Sequence, residues 1–213
     1  KIKTEPPLAE MLAYAKRYQI LLDGNSGNAA LDACIDRLNR LETTVTRPYF
    51  LEVLRLYNES KLTLTQVTEI FLTTESYLFR RTMCDLPTNA LNKIFLMLHR
   101  EIVRYDGTED DYVEKFKYAL LSKKERARFP DDVEFKVAFE ERPVYLMNSK
   151  NKIYILERFE NFGTSEDKDV YRHCDNGTYS IEHIMPQHLT PVWQKELGDD
   201  YEQIHEIWLH RMA

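Results

Sequence analysis

The residues best suited to chemistry stand together in Tyr179-Ser-Ile-Glu-His-Ile-Met-Pro-Gln187. A carboxylate, Glu182, directly precedes a histidine, His183, and Pro186 follows three residues later. Phosphodiester hydrolysis needs a base to activate water and a cation to stabilise the leaving oxygen. An imidazole suits the first task near neutral pH. A hard carboxylate oxygen suits Mg²⁺ for the second. Thr178 to Ile184 alternates in the manner of a strand, which Pro186 stops. Adjacent strand residues point to opposite faces, so the strand must end or kink near His183 for both groups to serve one phosphate. As residue chemistry alone, such a pair is more often an ordinary surface pair.

Other groups invite weaker readings. His205-Glu-Ile-Trp-Leu-His210 has one residue too many for the zinc-protease pattern. On a helix that spacing sets the two rings about 140° apart, too far round to share one zinc. His173-Cys174 with His183 or His188 has no standard zinc spacing. His99 is most simply a helix-surface residue. Trp193 and Trp208 could stack on a base, but core packing is the stronger expectation. Arg80 and Arg81 either contact DNA or bind carboxylates that join helices. No Gly-rich phosphate loop and no Ser-His-Asp or Cys-His nucleophile arrangement stands out.

The elements that must position these groups are mainly helical. Pro6 and Pro7 can open a first helix, with Leu8, Met11, Leu12, Ala15 and Leu22 on one side. Asp23 to Gly27 ends it as a turn. Leu31, Ile35, Leu38 and Leu41 mark a second helix, and Pro48 starts a third carrying Phe50, Val53, Leu54 and Tyr57. Thr63 and Gln66 form a capping-box pattern for a helix running to about Cys84. Thr88 can cap the next, which carries Leu91, Phe95, Leu98 and Ile102 and closes at Asp106-Gly107. Further helices are predicted over 110–123, after Asp131, over 153–159 and across 190–212. All these apolar stripes read as helix packed on helix.

Length and composition agree. The chain has 213 residues, which can bury a core without disulfide staples. Only 6 are glycine, too few for the tight turns of a large β-barrel or sandwich. Cys34, Cys84 and Cys174 are too scattered for a disulfide framework or metal clip, which favours a reducing, cytoplasmic setting. No apolar run is long enough to cross a membrane. The chain opens on Lys-Ile-Lys-Thr, neither a signal peptide nor an initiator Met, and is expected to be a piece of a longer protein. The net charge of −6 argues against bulk coating of nucleic acid. That charge is uneven. Lys115, Lys117, Lys123, Lys124, Arg126 and Arg128 against Glu125 give a local +5, and eleven acidic against four basic residues from Glu160 onward give −7. The basic stretch could track a phosphate backbone, though a solvated helix end explains it more simply.

Ile181-Glu-His-Ile-Met-Pro-Gln187, then Trp193, Leu197-Gly198 and His210-Arg-Met-Ala213, resembles the start of the HNH-like nuclease domain of GmrSD-type, modification-dependent (type IV) restriction endonucleases. Arg80-Arg81-x-x-Cys84, Thr88-Asn89 and Leu91-Asn92-x-x-Phe95 resemble the helical segment that links that family's NTP-using domain to its nuclease domain. Tyr154 to Glu160 resembles the nuclease domain's opening. The resemblance runs from about Thr63 onward.

It implies a ββα-metal site with His183 as general base and Glu182 beside a divalent ion, expected to be Mg²⁺. Pro186, Gln187 and His210 fall on further motif positions. The family pattern continues with an asparagine in a second strand and a closing helix, positions past Ala213. The expectation is therefore a helical domain over 1–140, then the first portion of an HNH-like domain over 141–213 with one short strand. DNA is the expected partner of the parent endonuclease, with no membrane. NTP would act only through a domain absent from this sequence. The chain alone is expected to be inactive. The rival is a non-catalytic helical module that binds a partner or senses DNA.

Overall fold

The structure, a computed structural model, describes residues 8–41, 43–164 and 168–212. Pro6 and Pro7 lie outside them. The described residues form eleven α-helices and no strand. They divide into two compact units, Lys1–Pro130 and Asp131–Ala213. The composition shift had suggested a boundary near 140, which would leave the helix after Asp131 in the first unit.

In the first unit, α1 (Leu8–Asp23), α2 (Ala29–Arg40), α3 (Arg47–Asn58), α4 (Leu64–Met83), α5 (Leu91–Arg104) and α6 (Tyr112–Leu121) surround one core. The main packings are α2 on α4, α3 on α5, α1 on α3 and α5 on α6. Local chemistry sets the ends. Thr63 and Gln66 close the capping box at α4. Pro48 lies in the first turn of α3, where its missing N–H is no loss. Gly24, at φ +64°, turns the chain after α1 so close to Asp36 that a Cβ would strike its carboxylate. Thr88 does not cap α5 with its hydroxyl. Its carbonyl accepts from Leu91 N instead, one turn ahead of the helix.

The core is a lattice of rings. Phe50 stacks on Phe71 at 4.0 Å and Tyr49 on Phe116 at 5.7 Å. Phe95 joins Tyr49 to Tyr77. The α1 stripe departs from this pattern. Leu8, Met11, Leu12 and Leu22 face outward, and the helix buries Leu21 and Arg17 instead. Polar contacts fix that roll, since Tyr14 Oη donates to Glu52 and Arg47 donates to Tyr18 Oη on the side of α3.

The second unit holds α7 (Asp132–Glu141), α8 (Ser149–Glu160), α9 (Val170–Asp175), α10 (Pro191–Leu197) and α11 (Tyr201–Trp208). Asp131, Asn148, Asp169 and Thr190 cap α7, α8, α9 and α10 through their side chains. Packing joins α8 to α9 and α10 to α11. Its buried apolar residues are few, namely Val144, Ile153, Tyr154, Ile155 and Val170. Thr178–Ile184 is not the strand its alternation suggested. A strand needs a hydrogen-bonded neighbour for its backbone groups, and no described segment pairs with this one. It is held instead by single bonds, Tyr179 N to His173 O and Tyr145 Oη to Glu182 O.

Candidate active site

The 178–187 segment wraps around one residue that sequence reading passed over. Tyr145 sits in a short 3-10 turn, Val144–Leu146, between α7 and α8. Its ring stacks on His183 with centroids 4.0 Å apart and planes 19° apart. Its hydroxyl donates to the Glu182 carbonyl at 3.0 Å, and its backbone N–H donates to the His210 carbonyl at 3.2 Å. Lys152 Nζ donates to its carbonyl. One tyrosine thus ties the Glu-His pair to the end of the chain's last helix. A lone aromatic before a helix carries no spacing signal, so only the folded chain could reveal that role.

His183 is half-buried and held on several sides. Its Nδ1 lies 3.4 Å from the Gln187 amide nitrogen on the exposed side. With that amide donating, Nδ1 keeps the lone pair and Nε2 carries the hydrogen. Nε2 is buried and has no hydrogen-bond partner. The His210 ring stands 5.9 Å away, edge towards face, and its Nδ1 is likewise buried without a partner. Two unsatisfied imidazole nitrogens on adjoining rings are costly, about 1–3 kcal/mol each, and such groups concentrate at functional sites.

The other motif residues are placed as follows. Pro186 presents its carbonyl to His205 Nε2 at 2.8 Å, so His205 braces the loop. Glu182 is exposed, and its carboxylate accepts from Ser180 Oγ at 3.0 Å. His183, Gln187 and His210 are therefore drawn together around Tyr145, while the Glu182 carboxylate turns to its own loop. Because the segment is not a strand, the opposite-face constraint on Glu182 and His183 no longer applies.

A divalent ion finds few ligands here. Mg²⁺ takes six oxygens, commonly one or two carboxylates with waters. Glu182 supplies one carboxylate, and among the described residues no three His, Cys, Asp or Glu side chains gather into a metal site. The described residues do not complete a cage.

Beside Tyr145 lies a pocket of about 310 Å³, lined also by Ile184, Met185, Trp193, Trp208 and Arg211. The tryptophans are not core residues, for Trp193 remains 37% and Trp208 41% exposed. Helices α10 and α11 each bring one of them to the pocket.

The basic stretch belongs to the first unit and is partly committed. Lys115 pairs with Asp106, Lys117 with Glu69, and Lys123 with Glu101, each at 2.6 Å. Lys124 and Arg126 are exposed. Arg128 donates to the Glu125 carbonyl. Arg81 is buried, and its guanidinium holds the carbonyls of Pro87, Arg126 and Arg128 rather than a carboxylate. Arg80 donates to the Pro130 carbonyl. His99 is half-buried rather than simply a surface residue. Its Nδ1 meets Tyr112 Oη at 3.0 Å, and burial holds its pKa below the ordinary value.

The second unit, which carries this braced histidine, is also the part of the chain that a family comparison matches. Residues 129–213 match the family model of GmrSD restriction endonucleases, C-terminal domain. This part of the chain is similar to the C-terminal domain of that family. It covers the second unit and leaves α1 to α6 outside it. No curated protein and no solved structure matches the chain.

Proposed function

We propose that the second unit supplies the general base of a DNA endonuclease that restricts modified foreign DNA in a prokaryotic cytoplasm. The observation that carries this reading is the setting of His183. Tyr145 fixes the ring plane, Gln187 meets Nδ1 on the exposed side, and His210 closes the inner edge. A base must be held at a set angle to the water it deprotonates. In this reading the Gln187 amide turns from Nδ1 to an incoming water, and Nδ1 takes that water's proton as its oxygen attacks a phosphodiester phosphorus and the bond to the leaving oxygen breaks.

Glu182 is proposed as one ligand of the Mg²⁺ that would stabilise the departing oxygen. Its further ligands would be water and groups outside the described set. The incomplete donor set also supports the proposal that this 213-residue chain alone cleaves DNA poorly. The exposed cations Lys124 and Arg126 are proposed phosphate contacts, with Lys115, Lys117, Lys123 and Arg128 contributing once their present partners yield. The test is Gln187→Ala in the natural full-length protein. The expected outcome is slower cleavage with DNA binding retained, because the base loses its positioning partner. Equal cleavage rates would remove Gln187 from the machinery.

A further inference from the structure

We propose that the pocket formed by Tyr145, Trp193, Trp208 and Arg211 receives one unstacked nucleobase of the substrate strand, next to the phosphate that His183 addresses. This rests on the nuclease reading and specifies what its site grips. The lining has the right chemistry. Trp193 and Trp208 keep large parts of their rings open, and an aromatic face accepts any base by stacking. The Arg211 guanidinium lies over the Trp208 ring at 5.8 Å, where it adds a cation beside the apolar slot. No carboxylate pairs with Arg211 among the described residues. A base with its attached phosphate satisfies both surfaces at once.

An apolar protein segment would satisfy only the rings. It would also take the Arg211 charge out of water without a counter-ion, which costs several kcal/mol. The volume, about 310 Å³, lies at the low end for small-molecule pockets and suits a single flat ring system. Placement supports the same occupant. Tyr145 is shared, for it stacks on His183 and also lines the pocket. Ile184, on the pocket wall, directly follows His183. A strand held by one base in the pocket would present its neighbouring phosphate at the histidine. The base must be out of the helical stack to enter, so a single strand or an extruded nucleotide is the substrate form.

The sequence provides its own probe. Trp193 and Trp208 are the only two tryptophans, and both line the pocket. Tryptophan emission of the 213-residue chain is followed while a short single-stranded oligodeoxynucleotide is added. Parallel titrations use its duplex and an abasic strand of equal length and charge. The expected result is quenching that saturates with the single strand, is weaker with the duplex and is absent with the abasic strand. Trp193→Leu and Trp208→Leu, each read from the remaining tryptophan, should weaken binding roughly 5- to 150-fold. Circular dichroism checks that each variant keeps its helix. Arg211→Gln retains both reporters and should weaken binding with a smaller salt dependence.

The inference is overturned if the abasic strand quenches equally, if the single strand leaves the emission unchanged, or if the emission shifts with protein concentration alone. That last result would mean a second copy covers the face. The readout is binding, not cleavage. Loss of quenching in a protein whose cleavage depends on His183 would sink the pocket and leave the nuclease. Base-dependent quenching in a protein that cleaves equally well without His183 would do the reverse.

Discussion

The core of the first unit and the candidate site of the second use their aromatic residues differently. In Lys1–Pro130 the rings face one another. Tyr49, Phe71, Tyr77, Phe95 and Phe116 are all buried. In Asp131–Ala213 Phe139 does meet Phe135 and Phe159, but the rings around the candidate site face histidines and open space. Tyr145 stacks on His183, His173 leans on Tyr179, and both tryptophans border a pocket. Rings packed on rings contribute stability and little else. Rings beside unsatisfied imidazoles hold chemistry at some cost in stability. The first unit thus reads as a scaffold, and the second as the part whose residues are arranged for a ligand.

The comparison can be broken at its strongest point. Phe71→Ala removes the ring stacked at 4.0 Å on Phe50 and should cost about 3–5 kcal/mol, read as a shift of the denaturant midpoint. A cost below about 1 kcal/mol would mean the first core is not the tight lattice described. Arg81→Ala comes next, on the order of 3 kcal/mol, because three carbonyls lose a charged donor at once. Its loss should also free the 126–128 backbone, seen as faster amide exchange there.

Acid should act on the first unit through His99. Burial depresses its pKa, against the opposing pull of the Glu52 carboxylate, so the unfolded chain binds the proton more readily. That stability is complete above about pH 6.5 and is lost as the pH falls through the lower folded value. Urea midpoints between pH 7 and pH 5 should decline, and His99→Gln should flatten the decline. The smallest effect is expected for Tyr145→Phe, about 0.5–1.5 kcal/mol, since the ring stack stays and only the bond to the Glu182 carbonyl goes. Native-state hydrogen exchange sharpens the whole contrast. Amides of α4 and α5 should be the slowest, and those of α9 to α11 the fastest among the helices. The reverse order would refute the division of labour.

Much of the fold was legible in the sequence because helix signals are local. The Thr63–Gln66 capping box and the Pro48 start each rest on residues within one turn. Two expectations failed for a shared reason. The strand at 178–184 and the buried stripe of α1 both depend on what lies opposite, which periodicity does not encode. At the candidate site, Glu182 and His183 stood out by their adjacency, and Gln187 only through the family resemblance. Tyr145 and His205 were not, because each acts across a distance in sequence, on residues 183 and 186 respectively. Arg81 carried two open readings, DNA or carboxylates, and the structure gave a third, backbone carbonyls.

The central claim is that His183 is the base for phosphodiester cleavage. Its most direct measurement is the single-turnover cleavage rate of DNA by the natural full-length protein and by its His183→Ala variant, at matched helix content. The account predicts a fall of about 10²- to 10⁴-fold with DNA binding preserved. An unchanged rate would contradict it.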